Sequence, residues 1–125
     1  MRKPLTVTVI TDTHYYSKKI GTSGEAYEFD NLKSQKLLAE SPEVLSAAFE
    51  KIAEDKENSI VLISGDVTNN GELDSHKEFI EMLREFKKKG NRVYVITATH
   101  DFRDGGKTHA YQGDKRIEIP AATRD

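Results

Sequence analysis

The 125-residue sequence contains no cysteine, so a disulfide framework, a cysteine-ligated zinc or iron–sulfur site and a thiolate nucleophile are all excluded. Any metal must sit on histidine, carboxylates or neutral oxygens. It also lacks an excess of charge: 19 Lys+Arg stand against 21 Asp+Glu, a net charge of −2. A chain that meets nucleic acid or anionic lipid normally carries a clear basic excess, so a charged ligand has to be held locally. No stretch approaches the roughly 18–20 apolar residues of a membrane-spanning helix. The start, Met1-Arg2-Lys3-Pro4, has the charge of a signal peptide, but the apolar run after it is broken by Thr6, Thr8 and Thr11 and reads as a strand. The chain is therefore expected to be a soluble, cytoplasmic protein without a membrane span. At this length it forms one domain, residues 1–125.

Three β-branched runs, Leu5 to Thr11, Ile60 to Ser64 and Arg92 to Ala98, read as strands. Ile60-Val61-Leu62-Ile63 is apolar at every position, which predicts burial on both faces. A helix is expected from Ser41-Pro42-Glu43, with Ser41 as N-cap and proline in the first turn. A second is expected from Asp74 or Ser75, where Ser75 and Glu78 have the spacing of a capping box, and Gly90 ends it. The connection from Tyr15 to Glu40 is unusually long and shows a weak helical pattern only around Leu32 to Ala39. Residues Ile119 to Asp125 read as a turn and an opening helix capped by Thr123 or Asp125. Right-handed crossovers make this order a parallel α/β sheet with both helices on one face. The other face is left needing a cover, and a homodimer through it is the expected partner arrangement.

In a parallel sheet, ligands bind beyond the carboxyl ends of the strands. Asp12 and His14 follow the first run, Gly65, Asp66, Asn69 and Asn70 the second, and Thr99, His100 and Asp101 the third. If the strand conformation continues, the Asp12-x-His14 alternation points both side chains the same way. This mixture of oxygen and nitrogen donors suits Mn, Fe or Zn. Asp66, arriving from the neighbouring strand, is placed to bridge two ions, and two ions roughly 3.5–4 Å apart clamp the attacking and leaving oxygens in phosphoryl transfer. Tyr15 and Tyr16, beside the site, either stack on a substrate group or pack the long connection onto the sheet.

The blocks Asp12-Thr13-His14, Gly65-Asp66-Val67-Thr68-Asn69-Asn70-Gly71-Glu72 and Thr99-His100-Asp101 resemble the N-terminal motif series of the calcineurin-like metallophosphoesterases, over residues 5 to 102. The resemblance implies a four-layer αββα fold of which this chain is the first half, and hydrolysis of phosphodiesters or phosphomonoesters by a metal-activated hydroxide at a dinuclear site. It implies that Asp12 and His14 bind the first metal, that Asp66 bridges, and that Thr99 contributes to the second. His100 would act as general acid or charge stabiliser, with Asp101 orienting it and raising its pKa. The implied substrate is a small phosphoester, with cyclic nucleotides among the candidates.

Two departures from the family pattern matter. Thr99 stands where the family has asparagine, and no Gly-His-x-His block follows. The remaining histidines, His76 near a helix start and His109 in a Gly-rich segment, are expected to be solvated. The chain therefore reads as a truncated N-terminal portion that binds one divalent ion weakly and turns over little. The alternative is a catalytically incompetent metal-binding or protein-interaction module.

Overall fold

A computed structural model of the chain describes residues 4–125. Strands β1 (Thr6–Ile10), β2 (Asn58–Ser64) and β3 (Val93–Ile96) form a parallel sheet in the order β1-β2-β3. Helices α2 (Ser41–Glu54) and α3 (Leu73–Lys88) cover one face of it. Leu45 and Phe49 of α2 and Phe79 and Phe86 of α3 close over Val61 and Ile63 of β2, and the Phe49 and Phe86 rings stack at 4.7 Å. Each fully buried side chain of this kind contributes about 1.5–3 kcal/mol.

The other face is bare. Val9 pairs with Leu62 and Leu62 with Tyr94, so the three share that face, and they are 63%, 39% and 60% exposed. Double-sided burial of the apolar run in β2, expected from its sequence, is thus corrected: Val61 and Ile63 are buried and Leu62 is not, because helices lie on one side only. Among the described residues no helix is long and apolar enough to cross a membrane.

The long connection carries a 3-10 turn at Lys18–Ile20 and helix α1 (Glu25–Ser34). This corrects the expected helical stretch at 32–39: α1 lies earlier in the chain, and with Tyr27 as its one buried residue it has too little periodicity to read in the sequence. The capping box is also corrected. The Ser75 hydroxyl accepts from the Ser17 N–H, and Glu78 accepts from the Tyr15 hydroxyl, so both tie the long connection to α3. Ser41 likewise lies inside α2, with its hydroxyl accepting from the Tyr16 N–H and donating to the Leu38 carbonyl.

The largest difference lies after β3. Strands β4 (Lys107–Gln112) and β5 (Lys115–Pro120) form an antiparallel hairpin, and no helix opens near Thr123 or Asp125. Ala110 and Tyr111 of the hairpin pack on Tyr16, Ile20, Tyr27 and Leu38 as a second core. The following residues are pinned across the loop after β2 by Ala122 N–H donating to the Gly71 carbonyl at 2.8 Å.

The joint between α1 and the hairpin depends on glycine. Gly24, just before α1, has φ +96°, and a Cβ there would lie 1.9 Å from the Gly113 carbonyl oxygen. Gly24→Ala is expected to cost about 2–4 kcal/mol, combining left-handed strain with overpacking, read as a fall in the urea midpoint. Gly105, with nothing within 4 Å of its added Cβ, is the control whose alanine variant should leave the midpoint in place.

Candidate metal centre

The loops after β1 and β2 run side by side beyond the sheet. Asp12 N–H donates to the Gly65 carbonyl at 3.2 Å, His14 N–H to Asp66 at 3.0 Å and Tyr15 N–H to Val67 at 2.8 Å. The Thr13 hydroxyl adds a bond to the Val67 carbonyl at 2.9 Å. Extended backbone does not continue through Asp12-x-His14, which corrects the alternation argument: Asp12, His14 and Asp66 have φ of 54°, 41° and 49°. Left-handed backbone is uncommon in non-glycine residues, although aspartate and histidine tolerate it better than most. It costs of order 1–3 kcal/mol each and persists where surrounding bonds over-determine it. Here the paired loops hold it, and they aim three donor side chains at one point.

The result is a compact donor set. One ligand atom from each of Asp12, His14 and Asp66 lies within 4.8 Å of the others. His14 Nδ1 meets the Thr68 carbonyl at 3.3 Å and Nε2 lies 3.7 Å from Asp12 Oδ1. A backbone carbonyl that takes Nδ1–H leaves the Nε2 lone pair for a metal. Burial lowers the His14 pKa, the Lys36 charge lowers it further, and His100 adds to the effect against the opposing Thr68 bond and Asp66 charge; the shift favours the neutral ring that a metal ligand has to present. Asp66 gives one oxygen to the His100 N–H at 2.9 Å. Two carboxylates and a neutral imidazole fit a divalent Mn, Fe or Zn ion.

Thr99, His100 and Asp101 form a 3-10 turn after β3, with Thr99 exposed at its start. The His100 ring stands edge-on to His14, centroids 5.0 Å apart, and its Nδ1 meets the Asn69 carbonyl at 2.9 Å. The expected partner, Asp101, does something else. Its Oδ1 accepts from the Thr68 N–H at 2.9 Å and the Thr68 hydroxyl at 3.1 Å, and its Oδ2 accepts from the Ala98 N–H at 2.8 Å. Asp101 is 0% exposed and joins the loops after β2 and β3. The orienting role read for it is therefore corrected: the Asn69 backbone holds His100.

Tyr15 and Tyr16 are also corrected as substrate contacts, because they are 5% and 1% exposed and each ring belongs to one of the two cores. Burial, then Glu78, pushes the Tyr15 phenol up to about 12, and the Tyr16 hydroxyl donates to the Gly21 carbonyl at 2.5 Å. Neither remaining histidine joins the donor set. His76 Nε2 lies 2.8 Å from the Asp101 carbonyl. His109 sits on β4, 3.2 Å from the Tyr111 hydroxyl and 3.8 Å from Asp30, rather than in a loose Gly-rich loop.

Sequence reasoning passed over Lys36 and the ordering role of Asn69. Lys36 donates from Nζ to Asn69 Oδ1 at 3.0 Å. Burial lowers its pKa, while the charges of Asp66, Glu72 and Asp12 favour the ammonium and Arg103 opposes it. Asn69 lies inside the motif that points to Asp66 and was legible there; Lys36 lies outside any periodic pattern. Beside these groups runs a groove of about 450 Å³. Asp12, His14 and Lys36 line it together with the apolar Leu37, Val44 and Ala48.

The sequence profile of the calcineurin-like phosphoesterases matches residues 5–124 of the chain. No curated protein matches it significantly.

Proposed function

Because the chain belongs to the calcineurin-like phosphoesterase family, we propose that Asp12, His14 and Asp66 hold one divalent ion and that the site hydrolyses small phosphoesters. The observation that carries this reading is the convergence of the three donors within 4.8 Å from three left-handed backbone positions. A bound ion supplies Lewis acidity, drawing charge from a phosphoryl oxygen and lowering the pKa of water beside it.

The chain's own residues do the rest. Asp66 accepts the His100 N–H at 2.9 Å and so ties the ion site to the turn after β3. His100, with Nδ1 engaged by the Asn69 carbonyl, has Nε2 left to meet the substrate. In its protonated form that nitrogen gives its proton to the leaving oxygen, the role of a general acid. The apolar side chains of Leu37, Val44 and Ala48, which line the groove with Asp12 and His14, receive the organic part of the ester, which makes aryl phosphates suitable probes.

The test is release of nitrophenolate from p-nitrophenyl phosphate and from bis-p-nitrophenyl phosphate, with and without Mn²⁺. Slow, Mn²⁺-dependent release that His100→Ala reduces supports the reading. The reduction expected from losing a general acid is about 10²–10⁴-fold. A second reading, a metal-binding module without turnover, is favoured by the three-residue donor set, and ion binding with no release at any Mn²⁺ concentration would establish it instead.

The bare sheet face bears on partners. Val9, Leu62, Tyr94 and Ile96 leave an apolar patch exposed on this face, and we propose that a second copy of the chain covers it with the same patch about a two-fold axis. Sedimentation velocity across a concentration series should show a monomer–dimer equilibrium that Leu62→Lys shifts to monomer. A strictly monomeric profile throughout would overturn it.

A further inference from the structure

Lys36 is placed as surface lysines are not. It follows Gln35, whose φ of 55° ends α1, and it lines both the groove that holds Asp12 and His14 and the neighbouring pocket that holds Asn69 and Asn70. There Nζ donates to Asn69 Oδ1 at 3.0 Å. Asn69 is itself buried, its N–H donates to the Tyr15 carbonyl at 3.2 Å, and its own carbonyl meets His100 Nδ1 at 2.9 Å. The His100 N–H then donates to Asp66 Oδ1 at 2.9 Å. Three hydrogen bonds thus connect the Lys36 ammonium to the candidate bridging carboxylate, and one residue, Asn69, fixes the position of both Lys36 and His100.

Ordering a lysine side chain costs rotamer freedom, and partial burial of its charge, which lowers its pKa, adds to that cost. The bond to Asn69 offsets part of it. An ammonium has three donors, and Asn69 takes one.

We propose that Lys36 is a substrate-binding residue: its two further donors take a non-bridging oxygen of the phosphoryl group at the mouth of the groove, and its charge selects dianionic phosphomonoesters over monoanionic diesters. The preference follows from charge, since a fixed cation gains more from a dianion than from a monoanion at the same distance. The choice of monoester departs from the cyclic-nucleotide expectation raised by the sequence. It rests on the phosphoesterase reading of the same site.

The test uses inorganic phosphate as probe, titrated by calorimetry into the Mn²⁺-loaded and the metal-free protein. Lys36→Met keeps most of the apolar stem and removes the charge. It is expected to weaken phosphate binding about tenfold or more in both forms, with Mn²⁺ affinity kept, and Lys36→Arg is expected to restore most of it. The kcat/KM of Lys36→Met should fall further for p-nitrophenyl phosphate than for bis-p-nitrophenyl phosphate. In the parent protein, phosphate should move the Lys36 Nζ resonance, a readout that needs no variant to fold. Unchanged phosphate affinity in Lys36→Met, or a Lys36 resonance that phosphate leaves in place, overturns the proposal and leaves Lys36 as a tether for Asn69. Failure of the phosphoesterase reading looks different: phosphate would bind through Lys36 while neither ester is hydrolysed.

Discussion

Asp66→Asn is expected to lower Mn²⁺ affinity by roughly 100-fold or more, above the ~10–100-fold typical of losing an outer-shell partner, while the fold is retained. Asparagine is the informative choice. Asp66 has a left-handed φ of 49°, which asparagine tolerates and alanine does not, and its carbonyl oxygen still accepts the His100 N–H that now meets Oδ1. What the substitution removes is the negative charge aimed at the point shared with Asp12 and His14. Asp66→Ala removes that charge and also strains the backbone, so it should lose the same affinity and melt earlier. Isothermal titration with Mn²⁺ and a thermal melt on both variants separate the two effects. If Asp66→Asn binds Mn²⁺ as tightly as the parent, the three-residue donor set is wrong.

Asp101 yields the opposite pattern, a large loss of stability with little loss of ion affinity. Its carboxylate is fully buried and accepts three bonds, from the Thr68 N–H, the Thr68 hydroxyl and the Ala98 N–H. In Asp101→Asn the amide NH₂ must face either Thr68 or Ala98. An N–H donor then meets an N–H donor in a buried place, a penalty of about 1–3 kcal/mol beyond the lost bond. The total, about 2–4 kcal/mol, corresponds to a fall in melting temperature of about 10 °C for a domain of this size. Asp101→Ala leaves all three donors unmet and should be worse. At low temperature, where the variant is still folded, Mn²⁺ titration should give an affinity within a few-fold of the parent. A parent-like melt combined with lost catalysis would show that Asp101 acts on His100 after all.

The parallel sheet was legible in the sequence because its signals are local: three β-branched runs, two amphipathic helices and connections that fix their handedness. Asp12, His14 and Asp66 were legible because residue type and strand end coincide. Strand alternation alone does not bring them together: it stops at Ile10, and left-handed backbone, which leaves no period in the sequence, aims the side chains. The hairpin of β4 and β5 was missed because Gly105 and Gly106 suggest a loop, and its core partners, Tyr16, Ile20 and Tyr27, lie about ninety residues earlier in the chain. Such long-range pairing leaves no periodic trace. The orienting role of Asp101 toward His100 came from the family resemblance. The 3-10 turn sends the Asp101 carboxylate into the protein and leaves that task to Asn69. Lys36 was invisible for the same reason as the hairpin: its partner lies 33 residues away.

The most direct test of the central claim is where one Mn²⁺ ion settles. Paramagnetic broadening in the amide NMR spectrum, at substoichiometric Mn²⁺, should erase signals from Thr11 to His14 and from Gly65 to Asp66 first, with His100 next. Signals from β4 and β5 should survive, and in Asp66→Asn the broadening should vanish at the same Mn²⁺ level. Broadening centred on Asp30 and His109, or spread evenly over the acidic surface, would contradict the account.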